Sequence, residues 1–120
     1  MTIGDIVVEA VPSYNTNKPN HPQTSDNVGY VVTVDGQRFY HGGDTDVIPE
    51  MATIKCDIAA IPIGGKYTMD AQEGVQALET LRPKITIPIH WGGIIGSRAD
   101  AEYVQAHAPS GVEVRILAAE

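Results

Sequence analysis

The chain has 120 residues, 42% hydrophobic and 19% charged, which suits one domain over 1–120 and is too apolar for a disordered chain. Its 8 Lys and Arg against 15 Asp and Glu give a formal charge of −7, which argues against a nucleic-acid backbone or an anionic membrane as partner. One cysteine, Cys56, excludes an internal disulfide and a cysteine-built zinc cage.

No stretch reaches the roughly 18 apolar residues of a spanning helix. The opening Met1-Thr2-Ile3-Gly4-Asp5 has neither the basic region nor the long apolar core of a leader peptide, so the expected setting is cytoplasmic. Ile3 to Val11 is mostly apolar and β-branched and predicts a strand. The Pro- and Asn-rich stretch from Pro12 to Pro22 predicts a long loop, of a length that is usually functional or mobile. Val28 to Val34 predicts a second strand, Asp35-Gly36 a tight hairpin turn, and Gln37 to Tyr40 its antiparallel return.

After the glycine-bearing loop His41-Gly42-Gly43-Asp44-Thr45-Asp46 the rhythm changes. Asp57 to Ile61 predicts a short strand. Asp70 opens a helix, with Glu73 completing a capping box, Val75, Leu78 and Leu81 at helical spacing, and Pro83 as the stop. Ile85 to Ile89 predicts a strand, and Arg98 or Ala99 to about Ala108 a second helix capped by Ser97 and Asp100. Val112 to Leu117 predicts a last strand. A hairpin followed by alternating strands and helices points to α/β layers, with a mixed sheet carrying helices on one face. Such a sheet leaves its other face apolar and in need of a partner.

Two places combine a strand end, a glycine-rich turn and a metal-type ligand. They are Gly42-Gly43-Asp44-Thr45-Asp46 and Pro88-Ile89-His90-Trp91-Gly92-Gly93. Carboxylate oxygen and neutral imidazole nitrogen together suit Zn, Mn or Fe, and α/β sites gather at the carboxyl ends of strands. Asp44 and His90 each also have a plain reading, as a turn residue and a hydrogen-bonded histidine; their joint placement is what points to a metal. In Gly64-Gly65-Lys66-Tyr67-Thr68-Met69-Asp70, Lys66 and Tyr67, with Trp91 beyond His90, are expected as walls of a substrate pocket. His41 is expected in the core, His21 in the long loop within reach of a site, and His107 at a helix end. Asp44, Asp46 and Glu50 read as a polar rim, and Cys56 as a buried or idle thiol.

The segments Tyr40-His41-Gly42-Gly43-Asp44-Thr45-Asp46, Ile61-Pro62-Ile63-Gly64-Gly65-Lys66-Tyr67-Thr68-Met69 and Ile87-Pro88-Ile89-His90 resemble the C-terminal half of metallo-β-lactamase-fold hydrolases. The resemblance runs from Glu9 to Ile95, in the family's order. It is strongest to a small metal-dependent hydrolase branch related to lactonases of ascorbate-type sugars. It implies one half of an αββα sandwich, with metals at the sheet edges. Asp44 matches the family's metal-bridging aspartate and His90 a metal-binding histidine. The implied chemistry is metal-bound hydroxide attacking an ester, lactone, amide or phosphoester of a small-molecule substrate, with Zn, or Mn or Fe, as cofactor.

This chain departs from the family pattern twice. The motif His-x-His-x-Asp-His is absent, and Asn15 stands where the family carries another ligand histidine. Asn15 reads as a structural group or a neighbour of the ligands; His21, which as a loop histidine also has a plain solvated reading, could substitute, so that Asn15 and His21 stand as further candidate ligands. Three readings follow: a hydrolase half active only with a complementary N-terminal half, a homodimer paired through its open sheet face, or a non-catalytic metal-binding or self-associating module.

Overall fold

The chain begins with hairpins because glycine and aspartate interrupt its apolar runs. Gly4-Asp5 splits the expected strand 3–11: β1 (Thr2–Ile3) turns back onto β2 (Ile6–Pro12), pairing Ile3 with Ile6, and Gly4 takes φ +59° at the first turn position. β2 runs antiparallel to β3 (Val28–Val34), and β3 to β4 (Gln37–His41). Asp35 and Gly36 both have positive φ, as a two-residue turn of the favoured twist requires. The structure, a computed structural model, describes residues 1–93 and 95–117; residues 94 and 118–120 of the expected domain lie outside the described residues.

From β4 onward the sheet is parallel, with β5 (Ile58–Pro62), β6 (Ile85–Ile89) and β7 (Glu113–Val114) joining in turn. Among the described residues the sheet has seven strands, and they lie in chain order. β7 is two residues long, shorter than the expected 112–117, because only Glu113 and Val114 pair with β6. Two helices, α1 (Ala71–Leu81) and α2 (Arg98–His107), make the crossovers, each opened by a complete capping box, Asp70 with Glu73 and Ser97 with Asp100.

Register sorts the two faces. Val31, Tyr40, Ala59, Thr86 and Val114 form one row across β3 to β7, and every one of them is buried. Thr86 is tolerated there because its hydroxyl donates to the Ala59 carbonyl at 2.7 Å. The helices cover this face. At Gly74 a Cβ would stand 3.0 Å from Ile63 and 3.6 Å from Val104, so α1 lies against β5's extension and α2 at once. The opposite row, Val32, Phe39, Ile58 and Ile85, is only half-buried. Val28, Tyr30 and Val34 on the same face of β3 are exposed, Tyr30 at 46%. The expected one-sided sheet is therefore present, with an apolar face turned outward.

Candidate metal centre

Three loops meet at the carboxyl end of the parallel strands. Asp44 follows β4 by three residues, and His90 is the residue after β6. The Asp44 Oδ1 lies 3.0 Å from His90 Nδ1, and its Oδ2 lies 3.4 Å from His21 Nε2. The carboxylate thus has one imidazole at each oxygen. Both histidines have left-handed backbone, φ 52° at His21 and 59° at His90, a conformation that non-glycine residues hold only when their surroundings impose it. Part of that imposition is visible at Gly64, where a Cβ would stand 2.8 Å from the His90 carbonyl. Only glycine lets the β5 and β6 loops close on each other here.

His21 reaches the site because the long loop is stitched to the Asp44 loop. Ser13 donates its hydroxyl to the Asp44 carbonyl. The Tyr14 N–H donates to the Thr45 hydroxyl, and the Asp46 N–H to the Tyr14 carbonyl. The Thr16 N–H donates to Asp46 Oδ2 at 2.9 Å, and the Lys18 ammonium pairs with Asp46 Oδ1. Asn15 closes the loop on itself. Its N–H donates to the His21 carbonyl at 2.7 Å, and its side-chain amide donates to the carbonyls of Asn20 and Tyr67. Its amide nitrogen is thus spent on backbone, and its Oδ1 is buried without a hydrogen-bond partner.

Two expectations need correction. Asp46 is no rim residue but fully buried, since the long loop folds over it and brings Lys18 to its carboxylate. His41 is exposed rather than in the core, because its place in β4 turns it to the open face, where its Nδ1 accepts the Gly43 N–H. Sequence reasoning missed the Asp46–Lys18 pair altogether. A signal existed: Lys18 is the one lysine or arginine between Pro12 and Asn27, and Asp46 sits among the apolar neighbours Val47 and Ile48.

A cavity of about 220 Å³ opens beside the cluster, lined by Asp44, His90, Gly64, Tyr67, Thr68 and Ile95. Tyr67 forms its wall. The Lys66 ammonium lies 5.3 Å from the centre of the Tyr67 ring. Trp91 donates its indole N–H to the Pro88 carbonyl and, with His90, lines an adjoining groove that reaches Ile87 and Ile89 of β6 and Leu117 beyond β7. Away from the site, burial and the neighbouring Asp57 carboxylate push the Cys56 thiol up to about 11, and His107 stacks on Tyr103.

The donor set fits a metal in kind, carboxylate oxygen with imidazole nitrogen. The cluster is open, however: among the described residues no three His, Cys, Asp or Glu side chains form a ready metal-holding group. What is present is one carboxylate between two imidazoles.

Comparison with known proteins bears on the family and the fold. Residues 1–90 match the family model described as a beta-lactamase superfamily domain. A metal-dependent hydrolase of Archaeoglobus fulgidus is 33% identical over 124 aligned positions, covering 95% of this chain and 54% of that protein. Among solved structures, a candidate metal-dependent hydrolase from Parabacteroides distasonis is 39% identical with a TM-score of 0.84, covering 96% of this chain and 52% of that one. A metallo hydrolase from Ignicoccus hospitalis is 26% identical with a TM-score of 0.74, covering 94% and 50%. The chain spans about half the length of the curated relatives it matches.

Proposed function

Because the chain belongs to the beta-lactamase superfamily, we propose that it is the Asp44-bearing half of a metal-dependent hydrolase of small esters, lactones, amides or phosphoesters, working when a second sheet layer covers its open face. The observation that carries this is the Asp44 carboxylate facing His90 on one oxygen and His21 on the other. Asp44, His90 and His21 would hold Zn, or Mn or Fe, and when bound the metal would supply Lewis acidity for hydrolysis at neutral pH. Asn15 keeps the loop closed through its amide nitrogen, which donates to the Asn20 and Tyr67 carbonyls. Tyr67 and Ile95 shape the cavity in which the scissile group would lie.

A complementary N-terminal half of the same family is the favoured covering layer. The relatives carry about as much chain again as is present here, and a catalytic metal takes about three protein ligands with one position open. The second reading is a non-catalytic metal-binding or self-associating module that kept the scaffold, and the exposed apolar face of the sheet favours its self-associating form. Elemental analysis of the purified chain, alone and mixed with the N-terminal half of a relative, tests the proposal. Expected is stoichiometric metal that is lost in Asp44→Ala and His90→Ala, and ester or lactone hydrolysis only in the mixture. Metal without hydrolysis in the mixture supports the module, and metal unchanged in both variants refutes the site.

A further inference from the structure

Asp46 is a fully buried carboxylate that the proposed hydrolysis does not use. Every side-chain partner it has comes from one loop: the Thr16 N–H at 2.9 Å, the Thr16 hydroxyl at 3.4 Å, and the Lys18 ammonium. Lys18 is itself largely sequestered, with 14% of its side chain exposed. Burying two charges together adds little to stability on balance, yet it penalises any arrangement in which they part. The pair therefore selects one position of the loop over the others.

We propose that Asp46 and Lys18 are positioning residues: they lock the 13–22 loop onto the Asp44 loop in the one register that sets His21 against Asp44. The connection is continuous. Asp46 holds Thr16 and Lys18; Tyr14 is held by Thr45 and by the Asp46 N–H; and Asn15, between the two, holds the His21 carbonyl at 2.7 Å. His21 sits at the far end of this closed loop, with φ 52°, and its ring meets Asp44 through Nε2 and the Asn27 side-chain amide through Nδ1, each at 3.4 Å. A ligand borne on a loop rather than a strand end needs such a lock, because loop freedom is otherwise lost at the moment of binding. In this chain the third donor is as good as the ion pair that aims it.

The inference rests on the reading of His21 as the third donor, and two measurements on the full chain separate the two. The first uses no metal: amide hydrogen exchange in wild type, Asp46→Asn and Lys18→Met, with Lys18→Arg as the conservative rescue. Protection of the Asn15 and Thr16 amides is expected to fall at least tenfold in the first two variants and to return in Lys18→Arg, while β5 and β6 amides keep theirs. Unchanged Asn15 and Thr16 protection, or a uniform loss across the sheet, overturns the lock.

The second is a titration with Zn²⁺ alone of wild type, His21→Ala, Lys18→Met and the double variant. Each single change is expected to weaken binding by about 10-fold, the low end for groups that orient a ligand, and the double variant to be no weaker than either single. Multiplicative losses overturn the claim that Lys18 acts through His21. If Zn²⁺ binding ignores His21 while the exchange result stands, the ligand reading falls and the loop lock survives.

Discussion

Asp44 and His90 were legible as a pair because each follows a strand and is flanked by glycines, and the structure brings their side chains to 3.0 Å. Asp46 was not legible in the same way. A charge two residues from Asp44 reads as solvated until the folded loop delivers Lys18, and the lone loop lysine and the apolar neighbours of Asp46 hint at a pair without fixing a contact 28 residues away. His41 failed for a related reason: alternation along β4 places it opposite Tyr40's face, and which face is covered depends on helices that come later in the chain. Cys56 gives a check on burial at this level. Its thiol, moved from 9.0 to about 11 chiefly by burial and then by Asp57, stays protonated in the folded chain over a range in which the unfolded chain ionises. The folded state then holds more protons, so stability must fall as pH rises from 9 toward 11. Urea midpoints at pH 8 and pH 10.5 are expected to show this fall in wild type and a smaller one in Cys56→Ala.

The two helices and the central strands carry their signals locally, and so the sequence located them almost to the residue. Asp70 accepts the Glu73 N–H at 2.8 Å while Glu73 returns to the Asp70 N–H at 3.1 Å. Replacing Asp70 with Ala is expected to cost about 1 kcal/mol of unfolding free energy, read from the denaturant midpoint at constant slope. The second cap, Ser97 with Asp100, was equally plain. Strand ends were less so. An apolar run such as Ile3 to Val11 does not show where it folds back, and Gly4 supplied the only hint; Val112 to Leu117 has strand-like residues yet meets β6 through two of them. Pairing partners, not propensity, set these limits.

Taken together, the strands build a sheet that hides one face and presents the other, and that asymmetry was inferable from the order of elements alone. What no sequence pattern in this chain identifies is the layer that covers it. Tyr30, Val28 and Val34 are more than two-fifths exposed on that side, an apolar patch that monomers avoid leaving in water. The isolated chain is expected to self-associate through it. Light scattering of Tyr30→Lys and Val34→Glu should then report a smaller particle than wild type, with the same far-ultraviolet dichroism; equal particle sizes would locate the association elsewhere. The position of Asp44 between two imidazoles has a further implication for such an assembly. If an ion draws donors from both layers, it is a rivet as well as a reagent, and loading it and joining the halves become one equilibrium. Chelation would then pull the two layers apart, and the free concentration of that ion would set how much of the assembly exists at all.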